Sequence, residues 1–456
     1  MNSVKILVPS GSMGVGVSEA AFSSGLNEGP DVIATDAGST DSGPHYLGTG
    51  KAKCSVAVLK AELRTLMIAR AEKGIPLIVG SCGTCGSDAG VDLMRELCEE
   101  IASELGQTVR VACIYSEQDA STLIAALRAG RISPLQPVLP VDEALLLRCS
   151  HVVAVMGVEP IIHALEEGAD IVLAGRATDT AVMAAVPIMK GAAQGAAWHA
   201  GKILECGAMC TTHPASRAVL ATIDESGFTV SALGPDAKAT PRSVMAHMLY
   251  ENSNPDVLIE PGGSLNVSDA TYTVVDDRRV RVEGSMWTPA ERYTVKLEGA
   301  APAGYQAVSV CIIRDPEYLA RFGEWLAGLD SSVRAEIGKR LGLTVSDYHL
   351  EFRSIGKDAT LGALESKIGI PVEICVMAIV TSPSARTTRE IISVLSPPML
   401  HFTLPDAERV ATHAFPLSPA SMDRGLVYEF VLNHVLTVED PLAPFRFSFK
   451  TIGVTA

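Results

Sequence analysis

The sequence predicts an α/β protein. A doubly wound, mostly parallel sheet of Rossmann-like type is expected over residues 1–214, with a second, α+β domain over residues 215–456. Three observations lead there. Short runs rich in Val and Ile alternate with helix-length segments of period near 3.6 up to about residue 210, the pattern of a parallel sheet covered on both faces. Beyond Pro214 the texture changes to alternating strand-like segments with helices interspersed. At 456 residues, 47% hydrophobic and 20% charged, the chain is long enough for more than one core.

In chain order, "VKILVPS" is followed by glycines and the helical "SEAAFSSGLNEG". "DVIATDAGST" leads through a loop into "CSVAVLKAELRTLMIARAEKG", and "IPLIVGSCGT" precedes "GVDLMRELCEEIASELG". "VRVACIYSEQD", "HVVAVMGVEP" and "DIVLAGRATD" each precede a further helical segment. Right-handed crossovers between such strands put helices on both sides of the sheet. After Pro214 the strands are "RAVLATIDESGFTVSAL", "ATYTVVDDRRVRVEG", "RYTVKLEGA", "QAVSVCIIRD" and "VEICVMAIVTS", with Asp276-Asp277 placed as a hairpin connection. The C-terminal "RGLVYEFVLNHVLTVEDPLAPFRFSF" is apolar enough to be docked.

A formal charge of −15 argues against nucleic acid or an anionic membrane as the main partner, although a few local cations suffice for an anionic substrate. "MNSVKILVPS" runs straight into a strand and lacks a signal-peptide core. The most apolar stretch, 181–201, is interrupted by Pro187, Lys190 and Gln194, so no membrane span is expected. Ten cysteines spread over this length are no disulfide framework, and a cytoplasmic protein with reduced thiols is expected.

The residues able to do chemistry follow the ends of the apolar runs: Ser10-Gly11-Ser12, Asp36 to Asp41, Ser81 to Thr84, Tyr115 to Glu117, Gly157 to Glu159 and Gly175 to Asp179. In a parallel sheet these points share the carboxyl edge, where open α/β folds bind ligands and helix N-termini favour anions. Ser10, Gly11, Ser12, Gly38, Ser39, Thr40, Ser81, Cys82, Gly83, Thr84, Arg176 and Thr178 are the expected substrate-binding residues. Asp36, Glu159, Asp179 and Glu205 are the expected proton-transfer groups. Each has a plainer reading. "GSMGVG" (11–16) has G-x-x-G-x-G spacing, not the dinucleotide G-x-G-x-x-G, and also suits an anion loop or a simple turn. "DAGSTDSG" (36–43) could be a capped loop. Arg176 can grip a carboxylate bidentately or pair with Asp179 or Asp170. Glu205 is either a partner of Lys202 or a functional carboxylate. Lys296 and Glu298, two apart in a strand, share a face, as a surface pair or in a cleft lining with Glu260.

Cys82-x2-Cys85 stands without a second CxxC, and Cys206-x3-Cys210-x2-His213 is an imperfect partner for a zinc site. No metal ligand and no cofactor is assigned, with a divalent cation on Asp36, Asp41 or Asp179 left open. Cys82 at a helix entrance could be a nucleophile, but no histidine is evidently paired with it.

"LAGRATDTAVMAAVPI" (173–188), "HAGKILECGAMC" (199–210), "MLYENSNPDVLIEPGGSLNVSDATYTVVDDRRVRVEGS" (248–285) and "YTVKLEGA" (293–300) resemble the acyclic terpene utilisation AtuA family, also called DUF1446. "DAGSTDSGPHYLGTG" and "GSCGTCGSDAG" resemble one branch of it, from which Cys85 departs, where a small residue is expected. The resemblance implies catabolism through CoA thioesters and a small DUF4387-type partner subunit, and carries no catalytic role for any single residue. The expectation is therefore a cytoplasmic catabolic enzyme of lyase, hydratase or isomerase type acting on a small carboxylic acid or its CoA thioester. It is expected to be a homo-oligomer with the second domain over the site. The rival is a non-catalytic binding or assembly subunit.

Overall fold

In the computed structural model, which describes residues 3–367, 369–410 and 412–453, all six of the first apolar runs are strands. They are β1 (Val4–Val8), β2 (Val32–Asp36), β3 (Leu77–Gly80), β4 (Val109–Tyr115), β6 (His151–Val155) and β7 (Ile171–Ala174), with a short β5 (Ile132–Pro134) between β4 and β6. β1, β2, β3, β7 and β4 lie parallel in that spatial order. Alternation along them feeds two cores. Val4, Ile6, Val8, Val32 and Ala34 point into one, with the helices Glu159–Glu166, Asp179–Met189 and Gln194–Leu204. Leu7, Ile33, Leu77 and Val79 point into the other, with the helices Glu19–Asn27, Val56–Lys73 and Asp88–Leu105. Burial on both faces is why these strands read as continuous apolar runs.

The sheet is mixed, however, and not mostly parallel. β8 (Val219–Ile223) pairs antiparallel with β1, and β9 (Gly227–Ala232) with β8. Beyond β9 lies the hairpin of β12 (Thr271–Asp276) and β13 (Arg279–Glu283), turning at Asp276-Asp277 as the sequence predicts. At the far edge β19 (Arg446–Ile452) runs antiparallel to β4, completing ten strands. The reason lies in the connections: three residues separate β8 from β9, and a parallel crossover needs about a dozen. The texture change at Pro214 thus falls between β7 and β8 of one sheet. A second difference concerns β6. β19 occupies the edge beside β4, and β6 instead pairs antiparallel with Lys296–Ala300 of β15 (Tyr293–Ile313).

The chain forms two compact units, residues 1–301 with 430–456, and residues 302–429. The first also holds the three-stranded sheet of β10 (Val257–Glu260), β11 (Gly263–Asn266) and β14 (Met286–Pro289), and the pairing of β5 with His434–Leu436 of β18 (Ser421–Val438). In the second unit, Tyr305–Ile313 of β15 pairs with β17 (Ile374–Ser382), and β17 with β16 (His349–Ile355). The helices Phe322–Leu341 and Ala385–His401 bury apolar sides there around Trp325, whose Nε1 donates to the Phe402 carbonyl at 2.9 Å. Among the described residues no helix is long and apolar enough to cross a membrane.

Candidate functional site

Because β1, β2, β3 and β7 are parallel, the loops that follow them leave from one edge of the sheet. They enclose a cleft of about 380 Å³, lined among others by Gly11, Ser12, Asp36, Gly38, Ser39, Thr84 and Asp179. Its position is that of ligand sites in open α/β sheets.

The loop after β3 is held tightly to the end of β7. Ser81 N–H donates to the Gly175 carbonyl and Cys82 N–H to that of Ala174, both at 3.0 Å. The Ser116 hydroxyl donates to the Gly86 carbonyl and accepts from Arg176 N–H. A Cβ on Gly86, whose φ is +68°, would lie 2.1 Å from the Arg176 nitrogen, so no larger residue fits. Ser81 and Thr84 also have positive φ, 45° and 84°, although neither is glycine. Such strain persists where surrounding structure over-determines it, as at functional sites. Gly38 lets the loop after β2 meet this one, since a Cβ there would be 2.7 Å from Thr84 Cα.

Beneath the cleft lies a buried charge network. Arg176 Nε donates to Glu298 Oε2 at 2.9 Å, and Nη1 donates to Ser81 Oγ, Asp179 Oδ1 and the Ala177 carbonyl. Lys296 Nζ donates to the other Glu298 oxygen at 3.1 Å. Burial works to raise the Glu298 carboxyl, but Arg176 and Lys296 hold it down at about 2. Asp36 is 3% exposed, with Oδ2 accepting from Gly38 N–H and Oδ1 without a hydrogen-bond partner among the described residues. Burial and the neighbouring Asp179 raise its carboxyl well above the usual range. Burial raises Asp179 too, against the pull of Arg176, and a quarter of its side chain stays accessible (26%). Asp179 opens the helix Asp179–Met189, whose N-cap Thr178 accepts from Ala181 N–H.

Behind Asp179, Lys202 pairs with Glu205, and Thr180 Oγ1 donates to Glu205 Oε2 at 3.2 Å. Burial raises Glu205 while Lys202 opposes the shift. Glu260 is pushed up to about 7 by burial, and its Oε2 has no hydrogen-bond partner among the described residues. Glu159 accepts from the Tyr293 hydroxyl at 2.5 Å. The loop after β4 serves a different cleft of about 390 Å³, where Glu117 meets His151 at 3.1 Å beside Asp88 and Arg446.

Of the residues the sequence singles out, Gly11, Ser12, Asp36, Gly38, Ser39, Thr84 and Asp179 meet at the cleft. Ser10 is buried, its hydroxyl donating to the Ser12 carbonyl, and Thr40 is buried in the turn Thr40–Ser42. Ser81 and Arg176 lie beneath the cleft in the network, and Thr178 acts as a cap. Gly83 packs against Gly90, while Cys82 is in the core, where burial raises its thiol far from reactivity. Lys53, Cys54, Cys206, Tyr250 and Glu251 also line the cleft. Lys53 carries no sequence signal: its N–H donates to Thr84 Oγ1 across 31 positions. Tyr250 and Glu251 stand in the "MLYENSNPD" stretch of the family resemblance, the signal that could have found them.

Glu205, Cys206 and His247 bring three ligand atoms within 4.8 Å of one another. They are not the Asp36, Asp41 and Asp179 considered from sequence.

The family model described as "Acyclic terpene utilisation family protein AtuA" matches residues 56–395. No curated protein and no solved structure matches the chain.

Proposed function

The chain belongs to the acyclic terpene utilisation AtuA family, and from that premise we propose that it is an acid–base catalyst acting on a small acyl thioester of acyclic terpene breakdown. One observation carries the reading: Asp36 and Asp179 line the same cleft, both raised by burial, with the Arg176–Glu298 pair fixed behind them. Two interacting carboxyls raised by burial beside one cation favour a state in which the pair holds one proton, so it can give or accept one. Asp179, the more accessible, exchanges the proton with substrate, and Asp36 tunes it.

The cleft's charge bears on the substrate. Asp36, Asp41, Asp179 and Glu251 face one lysine, Lys53. That lining disfavours a free carboxylate and suits the uncharged acyl part of a CoA thioester. In an elimination, Asp179 takes the proton α to the thioester carbonyl, the C–H pair becomes the C=C bond, and the β-hydroxyl leaves as water on receiving a proton from the Asp36–Asp179 pair. Hydration is the reverse. Arg176, enclosed by Glu298, Asp179 and Ser81, acts as electrostatic support and not as a direct grip.

The test is a screen of 3-hydroxyacyl and enoyl thioesters against the purified chain, alone and with a DUF4387-type partner. Asp179→Asn should lower turnover about 10²–10⁴-fold with the fold intact. Wild-type turnover in Asp179→Asn, or thioester binding without turnover in every combination, sinks the catalytic reading and leaves a binding subunit.

A further inference from the structure

The helix Gln194–Leu204 ends at Glu205 and Cys206, and the next turn, Gly207–Cys210, leaves Cys206 on the cleft wall. The turn His247–Leu249 packs near it and supplies His247. A carboxylate, a thiol and an imidazole with donor atoms within 4.8 Å of one another combine the ligand types that borderline-soft dications take. An independent feature points the same way. His247 is 4% exposed, and its Nε2 has no hydrogen-bond partner among the described residues. A buried ring nitrogen left unsatisfied costs about 1–3 kcal/mol unless something takes it up. The ring is oriented by stacking on Tyr250, centroids 5.5 Å apart and planes within 17°. Glu205 is oriented in turn by Thr180 and Lys202, as carboxylate ligands commonly are by outer partners.

We propose that Glu205, Cys206 and His247 form a binding site for a zinc-like transition-metal dication on the wall of the cleft, with the remaining coordination position open toward it. Tetrahedral ligands at about 2.0–2.3 Å from the ion stand about 3.4 Å apart, so donors within 4.8 Å of one another need to close by at most about 1 Å each. On binding, the Cys206 S–H bond breaks, the thiolate pair goes to the metal, and the proton leaves to solvent. The Lys202 ammonium beside Glu205 works against a second cation and sets the affinity below that of closed structural zinc sites. The competing explanation is structural: Glu205 is there only to neutralise Lys202.

The full chain, stripped with a chelator and titrated with Co²⁺, decides. The site predicts a thiolate-to-cobalt charge-transfer band and tetrahedral visible bands saturating at one equivalent, displaced by Zn²⁺, with one proton released per ion. Cys206→Ser should abolish the charge-transfer band, and His247→Gln should weaken Co²⁺ binding by at least the about 10–100-fold that loss of an outer-shell partner costs, in variants whose metal-free melting matches wild type. Absence of a thiolate band in wild-type protein overturns the proposal, whatever the variants do. A band that survives Cys206→Ser overturns it too, because another cysteine is then the ligand. These readouts need no substrate, so they stand or fall separately from the Asp36–Asp179 chemistry.

Discussion

Glu298 decides whether Arg176 can be charged at this depth. Both are under a tenth exposed, and a guanidinium out of water is tolerated only where a carboxylate and further acceptors complete its geometry. Removing Glu298 leaves the buried guanidinium without the partner of its Nε, with Asp179 at 3.1 Å still on Nη1. Glu298→Gln should therefore destabilise the protein by about 3–5 kcal/mol, read as a lower urea midpoint. Lys296, on the same carboxylate but 46% exposed, should behave differently. Lys296→Met should change stability by less than about 1 kcal/mol, as solvent-screened pairs do. Equal effects would show that Glu298 is not specifically matched to Arg176. The sequence could say that Lys296 and Glu298 share a face, from strand periodicity alone, but not that Glu298 reaches a residue 122 positions away.

Two elements place these residues: the turn from Ser81 to Gly86, and the helix that begins at Asp179. The turn presses so closely on β7 that Gly86→Ala has no room, since the obstacle is backbone at Arg176 and not a movable side chain. That substitution should cost about 3 kcal/mol or more in urea unfolding. If it melts like wild type, the turn does not brace the end of β7. Thr178 caps the helix through Ala181 N–H. Thr178→Ala should cost about 1 kcal/mol, and it loosens the first turn that presents Asp179 to the cleft. Cys82 illustrates how an element overrides a motif. Its spacing to Cys85 suggested chemistry, yet the turn directs its side chain into the core with Val79 and Val91.

At the scale of the molecule, buried carboxyls make stability depend on pH in two directions. Glu260 rises from 4.5 to about 7 in the folded state, so its favourable contribution is complete below about pH 4.5 and fades as pH climbs through 7. At full extent this is about 3 kcal/mol. Glu298 has the opposite sign: its contribution is present above 4.5 and is lost as pH falls toward 2. Stability should thus decline between about pH 4.5 and 7, and Glu260→Gln should flatten much of that decline in urea unfolding series. An unchanged slope in Glu260→Gln would mean that this carboxyl is ionised in the folded protein. Both groups belong to the unit of residues 1–301 with 430–456.

The sequence by itself determined the alternation of strands and helices, the shared sheet edge of the loops after β1, β2, β3, β4 and β7 though not of the loop after β6, and the family. Each rests on local periodicity or contiguous motifs, which need no knowledge of distant neighbours. Only the tertiary structure decided that β8, β9 and β19 make the sheet mixed, that β6 pairs with β15, and that Arg176 is enclosed while Lys53 reaches the cleft. Those outcomes depend on which edge is free, how long a connection is, and which charge is left to neutralise another once water is excluded. They are properties of the packed chain, and no window of sequence carries them.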